Sequence, residues 1–141
     1  MTDSEHQRPP GVDDATVEAL GKLSEALEAV EEARGRLYGF HRLTGTADLA
    51  AGEAVDLLRG AGHAGLADEI ARDLVGRNVL YGRWTFQVVE EYDDHYYRTF
   101  KSLEERARGT LAGGRRHLHE AEMKADRRTQ GHRAHEADPS N

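Results

Sequence analysis

The clearest pattern in the chain is a run of apolar residues spaced alternately three and four apart across residues 14–44. Such spacing puts its members on one face of a helix that packs into a bundle. Asp13 or Asp14 offers an N-cap side chain for this first helix, and Gly45 is placed to take the left-handed conformation that ends it. We call the positions that follow this spacing the seam; most are apolar, and they are Leu20, Leu23, Leu27, Val30, Arg34, Leu37, His41 and Thr44. The residues beside the seam are Ala19, Ala26, Ala33 and Phe40.

Two short helices are predicted after this seam. Thr46 can cap the first of them, whose inward face is rich in alanine and leucine and which Gly60 and Gly62 end. The second runs from about residue 64 to residue 77. Residues 78–83 are typical of a loop.

A second long helix is predicted to begin near Trp84, after a turn at Gly82. Its seam becomes polar towards the end. Gly113 and Gly114 should interrupt it, because each glycine costs about 1 kcal/mol in a helix interior.

The chain ends differ from this helical body. Residues 1–12 are polar and close on two prolines and a glycine, which predicts a disordered lead-in. Residues 13–112 form the predicted helical domain, and residues 113–141 form a polar extension. In that extension we expect residues 115–128 to resume as an exposed helix and residues 129–141 to be disordered, so that the tail from residue 115 adds little to the core.

These elements predict an all-α fold, a four-helix antiparallel bundle of two long and two short helices. If the long helices pack antiparallel across a short turn, neighbouring residues have numbers that sum to about 128, given equal rise along both helices. The short helices can cover only part of the long ones. The seam near Leu20, Leu23 and Leu27 should then be left bare, which favours a homodimer or a larger protein partner.

The distribution of charge distinguishes the C-terminal part of the chain from the rest. The net charge is -7, but residues 1–105 hold 11 basic and 21 acidic residues, whereas residues 106–135 hold 8 basic and 3 acidic ones. A basic tail can contact nucleic acid, yet the acidic body would repel a polyanion, so nucleic-acid binding is disfavoured.

Composition excludes several classes of protein. Charged residues make up 32% of the chain, and no run approaches the roughly 18 apolar residues of a membrane span. The absence of cysteine excludes disulfide scaffolds, thiolate zinc sites and thiol catalysis. With no apolar run in residues 1–12, we expect no signal peptide and a cytoplasmic protein.

The predicted register gathers polar and aromatic residues at one end of the bundle. The ligand-binding candidates are Arg34, Tyr38, His41, Trp84, Glu91, Tyr92 and His95. In one interpretation they line a pocket, in which Arg34 binds an anion and Glu91 and His95 act as paired bases or metal ligands. In the other, favoured interpretation they form a structural polar layer in which Arg34 pairs with Glu91.

Known motifs add little. The chain has no metalloprotease, nucleotide-loop or nucleophile-elbow motif, so no catalytic residue, metal site or cofactor is assigned. Tyr92 stands where a di-iron bundle would need a glutamate three residues before His95. The tail histidines could bind zinc or nickel weakly; they are His117, His119, His132 and His135.

Two stretches carry a resemblance, namely FHRLTG at residues 40–45 and RWTFQVVEEYDDHYY at residues 83–97. With the Ala/Gly/Arg-rich composition, they make residues 13–110 similar to small uncharacterised helical proteins of high-GC actinobacteria. That resemblance implies no activity, and no characterised family is matched.

The sequence therefore favours a non-enzymatic protein–protein interaction or assembly module that self-associates. The alternative is a small-molecule or metal-binding helical bundle, or an enzyme, that uses the polar–aromatic pocket between the two long helices. A third hypothesis is a nucleic-acid-associated protein that works through its basic tail.

Overall fold

The structure, a computed structural model, describes residues 4–137 and confirms an all-α fold. Residues 1–3 and 138–141, parts of the two segments expected to be disordered, lie outside the described residues. The helices are α1 (Asp14–Gly60), α2 (Ala64–Asp73), α3 (Thr85–Tyr92), α4 (Arg98–Ala112) and α5 (Leu118–Arg127), with a π-helical turn at Asp93–Tyr97 and 3-10 turns at Ser4–His6 and Arg133–His135.

The chain divides into two compact units. The first contains the beginning of α1, up to Val30, together with α4 and α5. The second spans Glu31–Tyr97 and contains the rest of α1, α2, α3 and the π-helical turn.

The prediction that Gly45 ends the first helix was wrong, because α1 continues through it to Gly60. Thr46 does not cap a new helix, and its hydroxyl instead donates to the carbonyl of Arg42 one turn back, at 3.1 Å. One interior glycine costs about 1 kcal/mol, and the alanine- and leucine-rich segment that follows offsets this cost. The two helices predicted on either side of Gly45 are therefore a single helix of 47 residues.

The end of α1 and the connections after it follow the predicted turn chemistry. Gly62 has φ of +89°, and the amide of His63 donates to the carbonyl of Leu58 at 2.8 Å, as in a Schellman cap. The turn at Gly82 is also confirmed, with φ of +71° and a backbone bridge that joins Leu80 to Arg83.

The antiparallel register is confirmed within each unit. In the second unit the Tyr97 hydroxyl donates to Glu31 at 2.6 Å, and in the first the Ser24 hydroxyl donates to Glu104 at 3.2 Å. Both pairs have residue numbers that sum to the predicted 128. The expected break also occurs where α4 ends, at Gly113 and Gly114, whose φ values are +60° and +78°.

The core of the first unit corrects two expectations. Val17, Ala112 and Leu118 are buried against one another, and Leu20 packs on them. Leu23 and Leu27 are half-buried, so this end of the seam is not left bare as predicted. Because Leu118 is buried, α5 is not a wholly exposed helix, and the segment after Gly114 contributes to the core.

A buried ion pair lies on α4 in the same unit. The Glu104 carboxylate is 3% exposed and accepts from Arg108 at 3.2 Å as well as from Ser24. No pattern in the sequence distinguishes this carboxylate from the other acidic residue of α4.

The described part of the chain contains no helix with both the length and the apolarity that crossing a bilayer requires.

Candidate functional site

Arg34 on α1 is the centre of a polar network in the second unit. Its guanidinium donates to both carboxylate oxygens of Asp93, with Nε–Oδ1 at 2.7 Å and a terminal nitrogen to Oδ2 at 3.2 Å. The Tyr38 hydroxyl, one turn along α1, donates to the same carboxylate at 2.7 Å. Two-point pairing of this kind fixes both the position and the orientation of the guanidinium.

Two aromatic rings complete the network. The Arg34 guanidinium carbon lies 4.5 Å from the ring centroid of Tyr97 and 4.9 Å from that of Tyr38. Asp93 and Tyr97 are the first and last residues of the π-helical turn. The wider turn of a π-helix alters which side chains share a helix face, and here both residues reach α1.

The hydrogen bonds of the network shift the pKa values of its three titratable groups away from neutral pH. Hydrogen bonding from Arg34 lowers the pKa of Asp93 below its ordinary value, although partial burial opposes the effect. The hydrogen bond to Asp93 raises the pKa of Tyr38, and the same carboxylate raises the pKa of Arg34. Near neutral pH the three groups are thus carboxylate, phenol and guanidinium, and none of them is poised to exchange a proton.

The predicted partner of Arg34 was wrong. Asp93, not Glu91, binds it, and Glu91 instead forms an ion pair with Arg83. The predicted register, in which paired residue numbers sum to about 128, nevertheless places Arg34 within one residue of Asp93. Among the described residues His95 is not a partner of Arg34; it is exposed.

Two of the remaining candidates, His41 and Tyr92, contact residues other than Arg34. Nδ1 of His41 lies 2.7 Å from the Thr85 hydroxyl, within one turn of the predicted contact. The Tyr92 ring stacks at a tilt on Tyr96, with centroids 5.7 Å apart, and burial raises the pKa of Tyr92. Of the seven candidates, Arg34 and Tyr38 are thus joined through Asp93.

Trp84 lines a large cavity. The cavity has a volume of about 610 Å³ and lies between α1 and the segment from Leu74 to Phe86. Ala47, Ala51 and Phe86 contribute to its wall, and Trp84 is 56% exposed at its edge. Much of its wall is apolar, in contrast to the predicted anion pocket.

A second surface, absent from the sequence analysis, runs along α1. Six apolar residues that follow one another at three- and four-residue intervals are all exposed, and we call them the α1 stripe: Phe40, Leu43, Ala47, Ala50, Ala54 and Leu57. The exposed fractions of Phe40, Leu43 and Leu57 are 43%, 71% and 75%. The sequence contains this pattern, but a helix ending at Gly45 would cut it in two.

Comparisons of the chain with protein-family models, with curated proteins and with solved structures find no match. This agrees with the expectation that no characterised family is matched.

Proposed function

We propose that the protein is a non-enzymatic, cytoplasmic helical module that self-associates through the α1 stripe. The supporting observation is that six successive a and d positions on one helix are apolar and exposed. Heptad spacing is the pattern by which two helices pack along a shared seam. Arg36, the preceding d position, is charged and bonded to Glu32, so the stripe begins at Phe40.

The stripe is complementary to a second copy of itself. If two α1 helices pair antiparallel about a two-fold axis, Phe40 faces Leu57 of the other copy and Leu43 faces Ala54. Ala47 then faces Ala50 at the centre, where small side chains allow the helices to approach closely. A two-fold contact of this kind uses one surface twice and closes after two copies.

The size of the surface sets the expected strength of the dimer. From Phe40 to Leu57 the stripe is about 26 Å long at 1.5 Å per residue. Ala47 also lines the cavity beside Trp84 and Phe86, so these exposed rings can extend the contact. Fewer than three heptads form a modest interface, near the low end of the roughly 800 Å² per partner of stable complexes. We therefore expect a dimer that assembles at micromolar concentrations.

Cross-linking tests the pairing directly, because the chain contains no cysteine of its own. Under mild oxidation a mixture of Ala47→Cys and Ala50→Cys chains should form disulfide-linked dimers, since the register places these positions within bonding distance. Asp56→Cys, exposed on α1 outside the stripe, is the matched control. Equal cross-linking of the control and the stripe variants would refute the pairing.

The cavity beside Trp84 favours one alternative, the binding of an apolar small molecule. Its volume of about 610 Å³ falls within the range of ligand pockets. The dye anilinonaphthalene sulfonate is a suitable probe, since its emission rises in apolar cavities. Dye binding that Trp84→Ala abolishes and Leu43→Glu leaves unchanged would favour this alternative over self-association.

A further inference from the structure

We propose that the first unit binds a divalent transition-metal ion, of which zinc is the best probe, through Glu28, His117 and Glu120. The ligand atoms of these three side chains all lie within 4.8 Å of one another. This site is independent of the α1 stripe, which lies in the second unit. This site also differs from the weak metal binding expected of the tail histidines, because two of its ligands are carboxylates and one comes from α1.

The three side chains come from two places in the fold. Glu28 is on α1, His117 directly precedes α5, and Glu120 is in the first turn of α5. His117 Nδ1 and Glu120 Oε2 are 3.9 Å apart. Two ligands about 2.1 Å from one tetrahedral ion are about 3.4 Å apart, so the exposed side chains need to close by up to about 1.4 Å.

A second imidazole lies beside this group. The ring of His6 is centred 6.4 Å from that of His117, and both residues line a cavity of about 430 Å³ with Glu120. The N-terminal segment is held there by Arg8, which donates to both carboxylate oxygens of Glu122 at 3.1 and 3.0 Å. His6 can therefore provide a fourth ligand after a small movement.

The donor set determines the class of ion. Imidazole nitrogen with carboxylate oxygen suits zinc and nickel, whereas calcium and magnesium prefer oxygen donors alone. The two carboxylates also match the charge of a divalent ion. His117 has a left-handed backbone, with φ of +55°, the only positive φ at a non-glycine residue in the described part of the chain. Such conformations are costly and are found preferentially at functional sites.

The test is zinc titration of the full chain without an affinity tag, followed by calorimetry and by thermal unfolding. We expect one zinc ion per chain and a melting temperature that rises with zinc concentration. Glu28→Gln and His117→Ala should each weaken binding at least tenfold, because the loss of even an outer-shell group typically costs about 10–100-fold.

Two control variants separate this site from other histidines. His119→Ala removes a neighbouring imidazole that lies against Gly21, and it should retain zinc binding. His132→Ala removes a ring near the C-terminus that is outside the lining of this cavity, and it should also retain binding. The proposal is overturned if His132→Ala or His119→Ala abolishes zinc binding, if both Glu28→Gln and His117→Ala bind normally, or if the wild-type chain binds no zinc.

Discussion

Substitution of Arg34 by alanine tests whether the polar network on α1 is structural. The guanidinium makes two bonds to Asp93, and the two side chains are 33% and 22% exposed. The pair is thus intermediate between surface ion pairs, which contribute about 0–1 kcal/mol, and buried ones, whose disruption costs about 3–5 kcal/mol. Because the contacts of the guanidinium with the Tyr38 and Tyr97 rings are lost as well, we expect Arg34→Ala to lower the free energy of unfolding by about 2–3 kcal/mol.

Double substitutions identify the partner. Arg34→Met with Asp93→Leu removes both charges and should recover most of the lost stability. Arg34→Met with Glu91→Leu is the matched control, because Glu91 pairs with Arg83, and it should recover none. The assay is urea unfolding followed by circular dichroism. A loss below about 0.5 kcal/mol for Arg34→Ala, typical of ordinary surface changes, or rescue by the Glu91 combination, would refute the structural role.

The same network predicts a dependence of stability on pH. The pKa of Asp93 is lower in the folded chain than its ordinary value of 3.8, so the folded state binds fewer protons in the acid range. Its contribution to stability is complete above that ordinary value and is lost as pH falls through the lowered one. Below pH 4, wild type should therefore lose stability more steeply than Asp93→Asn does. Parallel acid denaturation curves for the two chains would contradict this assignment.

Three further predictions concern the helices. Gly45→Ala should stabilise the chain by about 0.5–1 kcal/mol because α1 is continuous there, whereas Gly113→Ala, at a positive φ, should destabilise it by about 1 kcal/mol. Thermal unfolding measures the sign of both effects, and destabilisation by Gly45→Ala would indicate that a helix ends at Gly45. Truncation after Ala112 should lower the melting temperature by about 5–10 °C, since it removes the buried Leu118 side chain. An unchanged melting temperature would show that α5 does not pack against the core of the first unit. Arg108→Ala should cost about 3–5 kcal/mol in urea unfolding because the buried Glu104 carboxylate loses its ion-pair partner and keeps only the Ser24 hydrogen bond, and a cost under 1 kcal/mol would contradict that burial.

The antiparallel register could be predicted because it depends only on helix rise and on where the chain turns. Setting one helix end beside the next helix start was enough to place Glu31 beside Tyr97 and Ser24 beside Glu104. Fold class followed from the same periodicity.

The predicted register placed Arg34 beside Asp93, but the choice of Glu91 as its partner was wrong because the π-helical turn changes which side chains share a face. Residues 91 and 95 lie on one face of a regular α-helix, but the wider turn directs Asp93 and Tyr97 to α1 instead. Sequence spacing alone contains no signal for such a turn.

Helix ends were predicted well only where the turn is strongly specified. Gly62 and Gly113 have positive φ, which glycine adopts at little cost, and helices end beside both. Gly45 lies in a segment of strong helix formers, so the identity of one residue was a poor guide. That single misplaced boundary concealed the α1 stripe, since Phe40 and Leu57 were assigned to different helices.

The oligomeric state in solution tests the central claim most directly. Light scattering across a concentration series, up to tens of micromolar, should show the wild-type chain passing from monomer to dimer, as a micromolar interface requires. Leu43→Glu with Leu57→Glu places four charges in the paired stripe and should remain monomeric without loss of helical content. Asp56→Arg, exposed on α1 outside the stripe, should still dimerise. A wild-type chain that is monomeric at tens of micromolar, or a stripe variant that dimerises normally, would contradict self-association through α1.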